Sequence, residues 1–423
     1  LEESAGFNSL ESRDRAFARL LAATALRREG EIDAVLGRLI ERPLPKGAVV
    51  VRDILALGIV QLIFLGTPAH AAVATAVEAT EALNQRKFKG LVNAVLRRVA
   101  RERAEQDSRE RAGQDSRDGR ALLEGIDAAR VNTPDWLWRE WAAAFGEATA
   151  SAIAGAHLRE APLDLHPRDP DDAADLAALL DARLLPNGAI RRTTGGAVAD
   201  LPGYAEGRWW VQDAAAQVPA RLLGPVAGKR VLDLCAAPGG KTLQLAVAGA
   251  SVTAVDQSPA RLALVAENLR RTGLTAELVA ADARSFRDGP FDAVLLDAPC
   301  TATGTIRRHP DIARTRRPQD ITAAVLLQDE LLDAAARLTR PGGLLVYAVC
   351  SLQQAEGEER IAAFLARHPG FAVEPVTAAD CPGMTEAVAD GGYFRSLPSM
   401  MAEAGGMDGF FAARLRRSGE AAT

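Results

Sequence analysis

Val231-Leu232-Asp233-Leu234-Cys235-Ala236-Ala237-Pro238-Gly239-Gly240-Lys241-Thr242 is the stretch on which the fold turns. A short apolar run ends in a turn of small residues, and a helical stretch follows. Glycines in such a turn let a ligand approach the backbone at the C-terminal end of the first strand of an open α/β sheet. The spacing is not GxGxxG, which disfavours a dinucleotide. Cys235 stands where the first glycine of GxxxxGK[ST] would be, so a phosphate-cradling loop fails as well. A tight turn without a ligand is the alternative that these residues alone leave open.

Downstream the pattern repeats. Short β-branched apolar runs fall at 230–234, 252–256, 276–281, 291–297, 343–349, 371–376 and 409–415, with helical stretches between them. This alternation predicts a doubly wound, mostly parallel seven-stranded α/β sheet with helices on both faces. Asp256 ends the second run, Asp282 follows the third and Asp297 ends the fourth. Asp256 can take both hydroxyls of a ribose, or it can cap the helix that begins after Ser258-Pro259. Asp282 can accept from an adenine amino group. The three acids converge on the crevice where open α/β sheets bind ligands, and together they point to a nucleoside-bearing cofactor.

Two thiols join that rim. Cys300 lies in Asp297-Ala298-Pro299-Cys300-Thr301, and Cys350 follows Leu344-Leu345-Val346-Tyr347-Ala348-Val349. A free cysteine is commonly a small buried apolar residue. Two of them at neighbouring strand ends beside Asp297 read instead as chemistry, because a thiolate suits attack on a soft, electron-poor carbon such as C6 of cytosine.

Upstream the character is different. Residues 10–100 carry helical periodicity, clearest at Arg15–Leu21, Ile54–Leu65, Val73–Leu83 and Lys87–Val99, punctuated by Pro43, Pro45 and Pro68, and predict a small all-α domain. The polar stretch 103–120 repeats QDSR and reads as a solvated linker, with an RNA-binding arm as the alternative. Residues 163–200 mix short strand-like and helical segments ahead of Pro202-Gly203 and Trp209-Trp210.

The chain of 423 residues is 48% hydrophobic and 25% charged, and is long enough for two or three domains. Its net charge of −5 argues mildly against a nucleic-acid partner. Charge is local, however: Arg307, Arg308, Arg314, Arg316 and Arg317 face one acid, Asp311, within 302–318. These arginines either contact phosphates or pair with acids on neighbouring helices. The four cysteines form no CxxC and the five histidines have no ligand spacing, so neither disulfides nor a metal site is expected. The N-terminal Leu1-Glu2-Glu3 begins no basic-then-apolar run, and the apolar stretch Ile54–Gly66 is too short to span a bilayer, which reads as cytoplasmic.

LDLCAAPGGKT, LLDAPCTATG, IRRHPDI and YAVCSLQQAEGEE resemble, nearly word for word, the RsmB/Nop2/Sun family of RNA cytosine-C5 methyltransferases, and GGMDGFFAARL is similar to that family's last strand. Thr67–Val73 and Lys89–Arg97 resemble a NusB-like RNA-binding domain, a pairing that points to the bacterial RsmB branch acting on 16S rRNA. The resemblance implies a NusB-like domain at 1–102, a linker at 103–125, a small α+β RNA-binding subdomain at 126–205 and a methyltransferase domain at 206–423. It further implies that Cys235, Ala236, Ala237, Pro238, Gly239, Gly240, Lys241, Asp256, Arg261, Asp282 and Asp297 bind S-adenosylmethionine. Cys350 would attack C6 and Cys300 would assist release; the chemistry itself would let Asp297, if protonated on approach, hydrogen-bond cytosine N3 and stabilise the adduct. Small-subunit ribosomal RNA is the implied partner, contacted by Arg307, Arg308, Lys87, Lys89 and Arg97; a monomer without metal or membrane is expected. Val349 and Thr301 stand where the family usually has Thr and Ser, and Leu165-His166-Pro167-Arg168 replaces an Arg-x-Asn. The same chemistry on another RNA, or a non-catalytic RNA-binding assembly factor, are the competing functions.

Overall fold

The computed structural model describes residues 4–111 and 121–419. Residues 1–3, where a leader was sought, and 112–120, the centre of the expected linker, lie outside the described residues. The chain divides into two compact units, Leu1–Trp138 with His309–Arg314, and Arg139–Arg308 with Thr315–Thr423.

The first unit is helical. Its main helices span Ser12–Arg27, Glu29–Leu39, Val49–Ile59, Ala69–Ala82 and Lys89–Arg111. Ile32, Val35, Val51, Leu55, Ile59, Val92, Leu96 and Val99 form the core, at the spacing the sequence predicts. The helix expected from Ile54 to Leu65 ends as α-helix at Ile59 and continues through Val60–Phe64 as a π-helical turn. Gly58 permits close approach to the last helix: a Cβ there would lie 2.6 Å from Leu96 Cδ1. Leu122 joins this core, so part of the stretch read as linker is packed. Asn132 caps the helix Glu29–Leu39 from afar, its Oδ1 accepting from Gly30 N (2.9 Å) and Glu31 N (3.2 Å).

The second unit carries two sheets. The smaller is antiparallel, in the order β2-β3-β1-β4, with β1 Leu163–Pro167, β2 Arg183–Leu184, β3 Ile190–Arg192 and β4 Trp209–Val211. Its fourth strand lies beyond the expected boundary at 205. Leu165, Leu176, Ile190 and Trp209 pack against one another in its core.

The larger sheet contains β5 Arg230–Leu234, β6 Ser251–Asp256, β7 Glu277–Ala280, β8 Phe291–Asp297, β9 Thr339–Val349, β10 Phe371–Val373, β11 Val388–Ala389, β12 Tyr393–Ser396 and β13 Phe410–Arg417. Their order is β11-β12-β13-β9-β8-β5-β6-β7, with β10 also on β13. The strands β5 to β9 pair in parallel and β13 runs antiparallel beside β9. Alternate residues face two cores: Val231, Ala293, Leu295 and Val346 on one side, Leu232, Val294, Leu296 and Leu345 on the other. Near-continuous burial along β5, β6 and β8 is what a sheet covered on both faces requires. Among the described residues the sheet has nine strands where seven were expected; the additions are β11 and β12.

Candidate active site

Register places the site. Leu234 pairs with Val255 on one side and Leu296 on the other, and Asp297 pairs with Ala348. The C-terminal ends of β5, β6, β8 and β9 are therefore level, and Cys235, Asp256, Asp297 and Cys350 share one rim.

The turn after β5 is built by its glycine and by Asp256. Gly239 has φ +103°, and a Cβ there would lie 2.9 Å from Val265 Cγ1, so conformation and space both call for glycine. Cys235 also takes a left-handed conformation, with φ +60°. Burial pushes its thiol up to about 12. Asp256 is nearly buried; its Oδ2 accepts from Ala237 N (3.2 Å) and its Oδ1 from Ser258 N (2.9 Å). The cap of the following helix, Pro259–Thr272, is Ser258, whose side chain accepts from Arg261 N, so Asp256 braces the turn instead. Arg261 donates to Ala237 O (2.5 Å). Asp282 lies beyond β7, and Arg284 holds its carboxylate with both side-chain and backbone donors, keeping its pKa low.

Lys241, at the start of the helix Gly240–Val247, donates to Asp297 Oδ2 at 2.6 Å. Burial opposes its charge, but Asp297, Asp233 and Cys350 around it more than offset that and raise its pKa. Beneath it, Asp233 is fully buried with one donor, Thr242 Oγ1 at 2.6 Å. Its Oδ1 has no hydrogen-bond partner among the described residues. Burial pushes this carboxyl up to about 7.

The thiols meet. Cys300 Sγ and Cys350 Sγ are 3.4 Å apart. The neighbouring Cys350 and burial together raise the pKa of Cys300 well above the ordinary thiol value. Behind them Thr301, Ser351 and Glu356 form a buried hydrogen-bonded group. The loop carrying Cys300 is fastened through its backbone: Gly304 N donates to Cys350 O (3.0 Å), and Gly409 N donates to Gly304 O (2.8 Å). A Cβ on Gly304 would fall 1.9 Å from Gly409 O.

The arginines expected to contact phosphate divide. Arg307 is only 1% exposed; it donates to Gly405 O (2.6 Å) and to Asp213 Oδ2 (3.2 Å). This corrects the expectation for Arg307: its guanidinium is enclosed in a buried ion-pair group and presents nothing to RNA. Arg308, whose side chain is 39% exposed, pairs with the buried Asp408. Burial and Asp213 push Asp408 up to about 6 against the pull of both arginines. In the helical unit Arg314 pairs with Glu29 (2.8 Å), Lys89 with Glu81 (2.7 Å), and Arg97 donates to Asn93 (3.0 Å); Lys87, Lys89 and Arg97 are exposed. Sequence reasoning passed over Asp233, Asp408 and Glu356; an acid in the middle of an apolar strand was the available signal for Asp233.

A doubly wound sheet with a tight Gly-Gly turn after its first strand and acids at the next strand ends is the scaffold of a methyltransferase. The chain belongs to the RsmB/F family of 16S rRNA methyltransferases, whose model matches residues 220–416, while residues 1–101 match the NusB family. It is 40% identical to ribosomal RNA small subunit methyltransferase B of Pseudomonas putida, over 97% of this chain and 92% of that one. The crystal structure of PH0851 shares its fold with a TM-score of 0.73 and 23% identity, covering 97% of this chain and 91% of the other. A methyltransferase homolog protein from Pyrococcus horikoshii aligns with a TM-score of 0.55 and 26% identity, covering 66% of this chain and 93% of its own. These matches bear out the family resemblance read from the sequence, including its NusB-like front.

Proposed function

We propose that this methyltransferase transfers a methyl group from S-adenosylmethionine to carbon 5 of a cytosine in 16S rRNA, with Cys350 as nucleophile, acting in the cytoplasm. The observation that carries the reading is the pair of thiols 3.4 Å apart at the rim that also bears Asp256 and Asp297. The donor set suits the cofactor: Asp256 is braced from below by two backbone N–H groups, and each of its oxygens keeps a lone pair for a ribose hydroxyl. Gly239 and Gly240 allow close backbone approach, Arg261 borders the turn, and Asp282 would accept from the adenine amino group. When bound, S-adenosylmethionine supplies an electrophilic methyl group.

The protein's own groups account for the rest. The thiolate is the form of a cysteine that attacks carbon, and Lys241 and Arg308 both lie near enough to Cys350 to interact with it electrostatically. Formation of the S–C6 bond pushes the ring electrons toward C5 and N3. In its protonated form Asp297, beside Lys241, would donate its proton to N3 and so neutralise the charge that develops there, a role worth about 10²–10⁴-fold. C5 takes the methyl group; loss of the C5 proton to water then restores the double bond and expels Cys350 as its thiolate, and the Cys300 thiol, 3.4 Å away, is placed to assist release by donating a hydrogen bond to that sulfur. Exposed Lys87, Lys89, Arg97 and Arg308 would contact phosphates. The test uses single variants with small-subunit ribosomal RNA. Cys350→Ala should abolish methylation and keep cofactor affinity, whereas Cys300→Ala should leave a protein–RNA complex that survives a denaturing gel. A complex trapped by Cys350→Ala alone would reverse the two roles.

A further inference from the structure

We infer that Glu356 is the positioning residue of the thiol pair, the group that sets the distance and facing of Cys300 and Cys350; this rests on the roles of those cysteines proposed above. Glu356 ends a short turn after β9 and is fully buried. Its Oε1 accepts from Thr301 N (2.9 Å) and from Gln328 Nε2 (3.0 Å). Its Oε2 accepts from Ser351 Oγ (2.5 Å) and from Thr301 Oγ1. Its main-chain oxygen accepts from Tyr347 Oη (2.7 Å), on the strand that leads to Cys350. Thr301 and Ser351 immediately follow the two cysteines, so one carboxylate holds both thiol-bearing loops. Gln328 Nε2 extends the hold to the residue before Cys300 by donating to Pro299 O (2.9 Å).

The chemistry of the partners separates this from ordinary core packing. Oε1 faces two N–H donors and Oε2 two hydroxyls, and a carboxylate accepts from all four, whereas an amide would turn an N–H toward the hydroxyls and force them to reverse. Among the described residues, no Lys or Arg forms an ion pair with Glu356. A buried carboxylate held by neutral donors alone is costly to stability compared with apolar packing. Its location, bridging two loops whose sulfurs must reach the same ring in succession, supplies a reason for that cost. Misplacing reacting groups by about 1 Å can cost on the order of 10²-fold in rate.

Glu356→Gln keeps the shape and removes the charge. Its kcat should fall roughly 10–100-fold, with KM for RNA and cofactor affinity within about twofold of wild type. Because release is misaligned as well as attack, covalent protein–RNA complex should accumulate even though Cys300 is present. A second readout needs no RNA: diamide takes two hydrogens from the thiols and leaves one S–S bond between Cys300 and Cys350. That cross-linking should slow at least about fivefold in Glu356→Gln, followed by mass spectrometry of the folded protein. Should this variant not fold, the single-sided changes decide. Thr301→Val should raise the trapped complex, and Ser351→Ala should slow its formation. Unchanged cross-linking rate and unchanged complex, with only a lower Tm, would overturn the inference. If Cys300→Ala traps no complex with small-subunit ribosomal RNA, the roles given to the cysteines fail, and the cross-linking rates still decide on Glu356.

Discussion

Replacing Asp233 by Asn should remove a pH dependence of stability that the buried carboxyl imposes. Asp233 lies within β5, wholly inside the sheet, with Thr242 Oγ1 as donor to one oxygen and no partner on the other among the described residues. Burial favours the neutral acid and raises the pKa from 3.8 to about 7. At about 1.36 kcal/mol per pH unit, that rise amounts to about 4 kcal/mol. The sign follows from proton binding. Between about pH 4 and pH 7 the folded protein keeps a proton that the unfolded chain has lost, so stability is highest below that window and falls as pH rises through it. Above about pH 7 the full deficit remains. Urea unfolding at several pH values should therefore show wild type losing up to about 1.4 kcal/mol per pH unit more than Asp233→Asn. Asp408, raised to about 6, titrates in both proteins and cancels in the difference. Parallel stability curves for the two proteins across pH 4–7 would refute the reasoning.

Asp256→Ala should weaken S-adenosylmethionine binding about ten- to a hundredfold, since each charge-assisted hydrogen bond contributes roughly 1.5–3 kcal/mol; calorimetry reads this directly, and unchanged affinity would restrict Asp256 to bracing the turn. Arg307→Ala should destabilise by about 3–5 kcal/mol in denaturant unfolding, because it leaves Asp213 and Asp408 buried beside a lost partner. Its RNA salt slope should match wild type, and a flattened slope would return Arg307 to the interface. Replacing Lys87, Lys89 and Arg97 together by Ala should reduce the slope of log affinity against log salt by about 0.7–0.9 per lost phosphate contact. An unchanged slope would place the RNA path elsewhere.

The placement of the seven expected strands was legible because strands of a covered sheet are written as apolar runs between helices. β11 and β12 were not: Val388–Ala389 is too short to show a period, and Tyr393–Ser396 contains Arg395, which pairs with Glu358. The rim was legible because residues that follow strands of level register must come together, whatever the loops do. Arg307 and Arg308 show where such reading stops. They are adjacent in sequence and equal in charge, yet one is enclosed by Asp213 and the other keeps an exposed face. Glu356 was hidden for the same reason, in a run with Glu358 and Glu359 where only tertiary contacts mark it out. For Asp256, the sequence offered a helix cap and a ligand contact; the cap proved to be Ser258 because its hydroxyl, not the aspartate, reaches the free N–H of Arg261.

The position of β13 bears on how the protein is made. The strand that leads to Cys350 is flanked by β8 on one side and β13 on the other, and residues 410–417 are translated after every other strand described in the sheet. Until they leave the ribosome, β9 is an open edge of unpaired backbone groups, the kind of edge that invites wrong pairing. Gly409, which fastens the Cys300 loop, arrives at the same moment. The main helices of the first unit, which end at Arg111, have been translated long before then. A nascent chain can thus hold most of its helical front long before β13 closes the open edge beside its pair of thiols.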